Sequence, residues 1–242
     1  MFNFFKKVKE IPKKLIGKYI HSKIEDFDMF PPKHFKHKHF SIVEKIKGDT
    51  LILIVNKRKF YVCSDDKWFS KENDSIQWKV VNDLNLINKI KKVRGKVYTE
   101  VNEIDKAHVK ILDLFSGGQG MQKDIIFPKN FSIKCKILGS GDNHYFLPKI
   151  QIRVESVYDI DKESFLTYND SKNIMKEIDL SMVPYLGDLI ILNESKEYFQ
   201  KEATGISMIN PTINREGVVA FFDVTRNIDL SFEIENENKK TI

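Results

Sequence analysis

Short β-like runs dominate the chain from residue 41 onward, and helical spacing interrupts them twice. SIVEKIKGDTLILIV (41–55) and NKRKFYVCS (56–64) predict two strands joined by a turn at Asn56-Lys57. Over 74–93, apolar residues at 76, 80, 84, 87 and 90 predict one amphipathic helix, because that spacing lines a single helix face. KVYTEVNEI (96–104) and IQIRVESVYDI (150–160) alternate as strands do, and SKNIMKEIDL (171–180) predicts a short helix. REGVVAFFDV (215–224) and LSFEIEN (230–236) close the chain as a β-pair. Gly117, Gly118 and Gly120 mark one loop, Gly139 and Gly141 another. Strands and helices mix without regular strand–helix–strand alternation. The expected fold class is therefore α+β, with mainly antiparallel sheets.

Ahead of these runs, Phe4, Phe5, Val8, Ile11, Leu15, Ile16 and Ile20 predict a basic amphipathic segment over 2–24. It reads either as a helix docked on the core or as an arm facing RNA or a membrane. Residues 28–40 form a Pro-containing connector whose His34, His37 and His39 stand among lysines, which suits a solvated basic loop better than a metal site. The expected organisation is a segment over 1–27, a domain over 28–236 and a tail over 237–242.

With 41% hydrophobic and 12% aromatic residues, 242 residues suffice for one sizeable core. That excludes a wholly disordered chain and a small disulfide scaffold. No run approaches the roughly 20 apolar residues of a membrane-spanning helix. The start is broken by charges and Pro12, so it does not read as a secretory signal. Cys63 and Cys135 are the only cysteines, which points to a cytoplasmic or otherwise intracellular setting and to an oxygen-bound metal, if any. Cys63 reads as a buried small hydrophobe, Trp68 and Trp78 as packing anchors, and Asp159 and Asp161 as turn caps.

The net charge is +6, and it is unevenly spread. Residues 1–60 hold 15 basic and 6 acidic side chains, residues 183–242 hold 6 and 10. A basic front end suits a polyanion such as RNA, DNA or an anionic membrane, although a solvated charged surface explains the charge equally well.

Glu44-Lys45-Ile46-Lys47-Gly48 is the first run with chemical content. An amine at a strand end, followed by a glycine that lets backbone approach a nucleotide, can attack an α-phosphate once deprotonated and form a phosphoramide. Taken singly, the run reads as well as a charged turn. Together with the runs that follow it in order, it resembles the ATP-dependent RNA ligase family of covalent nucleotidyltransferases. FPPKHFKHKHFSIVEKIKG looks like the approach to that family's nucleotidyl-lysine motif. YVCSDDKWFSKENDSIQWKVV looks like its next strand, acidic turn and helix. Tyr98-Thr99-Glu100-Val101 falls where a ribose-binding Glu stands, and GQGMQKD (118–124) resembles a glycine loop of the family. SVYDIDKESFLTYND (156–170) resembles the strand and turn of the adenine-binding motif. VPYLGD (183–188) and GISMINPTINREGVV (205–219) carry the Glu216-Gly217 pair, and SFEIEN (231–236) falls on the last motif.

The resemblance, covering about 30–236, implies two mainly antiparallel sheets flanking a nucleotide cleft. It implies Lys45 as AMP acceptor, with Glu44, Gly48, Glu100, Glu216 and Gly217 at the nucleotide. ATP and Mg²⁺ are the implied cofactors, with Glu216 as a metal or ribose ligand.

Departures from the family pattern shift the expected function. Lys47 stands where Asp or His is usual, which should lower the Lys45 pKa. Asp65 replaces an Arg, Glu155 an adenine-stacking aromatic, Phe221 a basic residue, and Glu233 a lysine that holds ATP phosphates. Each change removes a cation or a π-face where phosphates gather, and losing one such contact costs about 10²–10³ in rate. Lys106, Lys110, Lys134 and Lys136 are the candidates for compensation. The expected protein is an RNA-ligase-like nucleotidyltransferase fold with lost or weakened ligation, acting by nucleotide, RNA or protein binding. The alternatives are an active ligase that self-adenylates on Lys45 and a basic membrane-surface protein.

Overall fold

LILIV (51–55) has no polar residue, and such a strand needs apolar partners on both faces. It lies within a seven-stranded sheet in the computed structural model, which describes residues 13–17, 20–23, 39–71, 74–100, 123–141, 144–190, 196–222 and 230–236. In chain order the elements are α1 (Lys13–Ile16), β1 (Ile20–Lys23), β2 (His39–Glu44), β3 (Asp49–Asn56), β4 (Lys59–Cys63) and β5 (Trp68–Phe69). Then come α2 (Ile76–Asp83), α3 (Leu86–Val93), β6 (Val97–Glu100), β7 (Lys123–Ile126), β8 (Phe131–Leu138), β9 (Gln151–Asp159) and β10 (Ser164–Phe165). The chain continues through α4 (Tyr168–Lys176), β11 (Ser181–Met182), β12 (Tyr185–Ile190), α5 (Lys196–Ala203), β13 (Gly217–Phe222) and β14 (Leu230–Glu235).

The larger sheet runs β10-β9-β8-β3-β4-β5, with β11 also on β9. The second runs β1-β14-β13-β2-β12, and β6 and β7 form a separate ribbon. Only β1–β14 and β11–β9 are parallel among these pairs, so the fold is α+β with two mainly antiparallel sheets, as expected.

Alternation sorts the larger sheet into two faces. Leu51, Leu53, Val55, Ile133, Cys135, Ile137, Val154 and Val157 pack against Trp78 and Val81 of α2, Ile90 of α3, and Ile174 and Met175 of α4. On the other face Ile52, Ile54 and Cys63 are covered by Leu15, Ile16, Trp68 and Ile160. Trp78 is an anchor with its polar end satisfied, its Nε1 donating to the Phe69 carbonyl at 2.9 Å. Cys63 is fully buried, and burial pushes its thiol up to about 12. The Asp159 carboxylate caps its turn, accepting from the Asp161 and Lys162 N–H groups at 3.0 and 3.2 Å. The two sheets meet through Val43 and Val219 of one and Leu138 of the other, around Tyr145.

Three local readings are corrected. The helix over 74–93 is two helices, because Asn85 adopts the left-handed conformation (φ 53°), which Asn tolerates better than most residues. Leu84, at the break, is left exposed. The amphipathic reading of 2–24 gives way, within the described residues, to one helical turn at 13–16 and a strand at 20–23. Gly17 separates them at φ 63°, and a side chain there would collide with Tyr158 and Phe165. The turn between β3 and β4 is centred one residue later, on Lys57 and Arg58, both at positive φ. The segment 2–12, the connector over 28–38 with His34 and His37, the glycine loop at 117–120, Lys106, Lys110 and the tail 237–242 lie outside the described residues.

Candidate functional site

Lys45 follows the last residue of β2, where the strand is clamped from both sides. The Glu44 N–H donates to the Pro184 carbonyl at 2.9 Å and the Lys45 N–H to the Gly217 carbonyl at 3.0 Å. Register pairs Val43 with Val219, Val219 with Glu233, and Gly217 with Glu235. Cross-strand partners share a face, so Glu233 and Glu235, two residues apart, stand on the Val43 face. Lys45 reaches that face too. Its Nζ lies 2.7 Å from Glu233 Oε2 and 3.0 Å from Glu235 Oε1. Burial pulls the Lys45 pKa down, but the two carboxylates outweigh it and the net shift is upward. The expectation of a lowered Lys45 pKa fails, because Glu233 and Glu235 raise it.

Gly217 sits at φ 150°, and a Cβ there would run into the Ile234 carbonyl, so β13 and β14 can approach this closely only at a glycine. Gly48 is tight in the same way against the Ile137 carbonyl.

The larger sheet supplies the facing charges. Lys134 on β8 pairs with Asp65 at 2.9 Å. Burial lowers the Lys134 pKa, yet Glu155, Asp65 and Glu233 together raise it. Burial likewise raises Asp65, and Lys134 foremost brings it below the ordinary range. Glu155 is the extra residue of a β-bulge, since Lys134 faces Ser156 while Cys135 faces Val154. Burial raises its pKa, only partly countered by Lys136 and Lys134. Charges thus alternate from one sheet to the other: Lys45, Glu233, Lys134, then Asp65 and Glu155. Asp65 is an ion-pair partner here, where the sequence had suggested a bare repulsive charge.

A second group lies at the Gly217 end. Glu44 is buried; its Oε2 accepts from the Met208 N–H at 2.8 Å, and its Oε1 has no hydrogen-bond partner among the described residues. Glu216 Oε1 lies 2.9 Å from His144 Nε2. The buried Tyr145 hydroxyl accepts from the Lys47 N–H at 3.0 Å, and burial foremost raises its phenol pKa. Phe221 packs half-buried against the Val43 and Tyr145 cluster. Glu100 ends β6, opposite Lys123, and its side chain lies outside the description.

The structure therefore gathers Lys45, Glu44, Glu216, Gly217, Glu233 and, across the cleft, Asp65 and Glu155. Glu235 and the counter-charge Lys134 complete the set. Glu235 could have been found from the period of two in SFEIEN, but Lys134 could not be assigned to Asp65 without the sheet order. Two carboxylates thus lie within 3.0 Å of the Lys45 amine. Among the described residues no three His, Cys, Asp or Glu side chains are grouped to hold a metal ion. Nor is any described helix long and apolar enough to cross a membrane.

No family model matches this sequence, and no curated protein matches it. Solved structures do. Naegleria gruberi RNA ligase with PPi aligns at TM-score 0.68 and 20% identity over 93% of this chain and 57% of that one. A lysine mutant of that ligase with ATP and Mn gives 0.69 and 19%, over 93% and 57%. An apo aspartate mutant gives 0.69 and 20%, over 94% and 57%. The chain thus spans a little over half the length of the ligase structures it matches. With the two sheets, the strand-end lysine and the close β13–β14 approach, this likeness establishes a distant relationship of fold: the chain has the nucleotidyltransferase fold of the ATP-dependent RNA ligases.

Proposed function

We propose that this chain is an RNA-ligase-like nucleotidyltransferase-fold protein in which transfer of AMP to Lys45 is lost or strongly weakened, and which acts by binding a nucleotide or RNA without covalent chemistry. One observation carries the reading: the Lys45 amine is held at 2.7 and 3.0 Å by Glu233 and Glu235. Attack on an α-phosphate needs the neutral amine and cations around the phosphates. These carboxylates favour the ammonium and repel the phosphates. The solved ligases are described with ATP, AMP, PPi and Mn, so ATP and a divalent cation such as Mg²⁺ are the cofactors that a surviving activity would use. RNA is the polyanion that the fold and the basic residues 1–60 together favour as a partner.

Incubation with α-labelled ATP and Mg²⁺, followed by denaturing electrophoresis, tests the reading. Little or no protein-bound label is expected. Robust labelling that disappears in Lys45→Ala would establish an active adenylyltransferase and overturn it.

A further inference from the structure

At the end of the larger sheet farther from Lys45, three segments meet around Asn130. Lys134 of the cleft stands opposite Ile52, and β3 runs roughly 13 Å beyond that point to Asn56. Asn130 Oδ1 accepts from the Lys57 N–H at 2.9 Å and from Arg94 Nη2 at 3.5 Å, while Arg94 Nε donates to the Lys129 carbonyl. The Gly95 N–H donates to the Phe127 carbonyl at 2.8 Å, and the Phe127 N–H to the Lys96 carbonyl at 2.9 Å. These bonds join the β3–β4 turn, the chain leaving α3 and the β7–β8 connection into one surface.

That surface is cationic. Residues 86–99 hold five basic side chains and no acidic one. Lys57, Arg58, Lys91, Lys96 and Lys129 are exposed. Lys57 and Arg58 are the two central residues of their hairpin, at φ 47° and 65°, where Asn and Gly are the unstrained choices. Strain retained at such a tip points to a contact made there. Lys91 Nζ lies 5.9 Å from the centre of the Phe60 ring, which sets the last turn of α3 beside β4. At the border, Asp161 accepts from Asn130 Nδ2 at 2.8 Å, Asp159 is paired with Lys162 at 3.5 Å, and Asp124 stands on β7. Next to the cations, Val97 and Ile126 are direct cross-strand partners, 57% and 53% exposed. Such partners share a face, so the ribbon presents two aliphatic side chains together to water.

We propose that this end of the sheet docks on an anionic lipid surface. Val97 and Ile126 enter the headgroup region, and Lys57, Arg58, Lys96 and Lys129 lie against the negative headgroups around them. The proposal goes beyond the reading of the Lys45 cleft and does not depend on it. Lysine stems lie along apolar surface while their ammonium groups stay at the charged interface, which suits cations that flank an aliphatic pair. Each basic residue near such a surface contributes about fivefold to binding. RNA would meet the same charges, but an aliphatic pair gives a base no ring to stack on.

Cosedimentation of the full chain with lipid vesicles tests the surface. Binding is expected to phosphatidylcholine vesicles that contain about one-third phosphatidylserine, not to phosphatidylcholine alone, and it should weaken as salt screens the charges. Lys57→Gln with Arg58→Gln, and Lys96→Gln with Lys129→Gln, should each weaken it about tenfold or more. Val97→Thr with Ile126→Thr keeps the β-branched shape and should weaken it about fivefold or more, because less apolar surface leaves water. This last variant should bind labelled single-stranded RNA as the wild type does. Because every changed position is exposed, all three variants should melt near the wild-type temperature, which separates lost docking from lost folding. No binding to the anionic vesicles overturns the proposal. So does binding that the variants leave unchanged, which would place the lipid contact on another part of the chain. RNA binding that the charge variants abolish, without vesicle binding, would make this a nucleic-acid face instead.

Discussion

Replacing Glu233 and Glu235 together by Gln should free the Lys45 amine, and the size of the effect follows from the geometry. The ion pairs are 2.7 and 3.0 Å long, with side-chain exposures of 25% for Lys45, 24% for Glu233 and 50% for Glu235. Partly exposed pairs are worth about 0.2–1 kcal/mol each after solvent screening, so two are worth roughly 0.4–2 kcal/mol. At about 1.4 kcal/mol per factor of ten, removing them favours the neutral Lys45 amine roughly 2- to 30-fold. Burial, which already pulls the pKa down, then acts unopposed. At pH 8 an ordinary lysine is about 0.4% neutral. Lys45 should be below that in the wild type and should gain about 2- to 30-fold in the double variant. Trace acetylation with isotopically labelled anhydride, followed by full acetylation after denaturation and peptide mass spectrometry, reads this fraction. The exposed Lys59 is the internal reference. If wild-type Lys45 reacts as readily as Lys59, and the double variant changes nothing, the ion-pair lock does not exist in solution.

Three further outcomes are expected. Glu155→Gln should raise the melting temperature at pH 7: burial raises the folded-state pKa of Glu155, so stability is lost as pH rises from the unfolded value near 4.3 through that higher value, and the gain should vanish below about pH 4. Gly217→Ala should cost roughly 2–6 kcal/mol, from positive-φ strain and the clash with the Ile234 carbonyl, and lower the melting temperature by at least about 4 °C in calorimetry. Labelled single-stranded RNA should bind more weakly as salt rises from about 50 to 200 mM, because neutralised phosphates release counterions; binding indifferent to salt would remove the basic residues of 1–60 from the interface.

What was legible in the sequence was local. Strands β9 and β14 show their period of two directly, β3 and β13 read as short apolar runs, and the order of motifs placed Lys45, Gly217 and Glu233 near one another. What was not legible depends on partners far along the chain. Ile20 fits the helical spacing of the residues before it, yet 20–23 becomes a strand because β14, some 210 residues later, offers an edge in parallel register. Helical periodicity passed through Leu84 and Asn85 because it does not register a left-handed residue. Glu155 could be placed on a strand, but only the β8–β9 register shows that it occupies a bulge. Asp65 and Lys134 are 69 positions apart, and they meet because β3 and β4 bring the residues that follow Cys63 beside β8.

That last pairing changes how the departures from the ligase pattern act together. Taken singly, Asp65, Glu155 and Glu233 each place a negative charge where a phosphate should lie. In the structure Asp65 and Glu233 are counter-ions, Asp65 to Lys134 and Glu233 to Lys45, with Glu233 also acting on Lys134. A change at one member therefore exposes its neighbours. Glu233→Lys alone would set a third cation between Lys45 and Lys134, and like charges at such range cost stability wherever no anion is bound. The same substitution would favour a bound phosphate. The charge-reversed cleft is thus self-consistent without a nucleotide, whereas one rich in cations depends on its ligand.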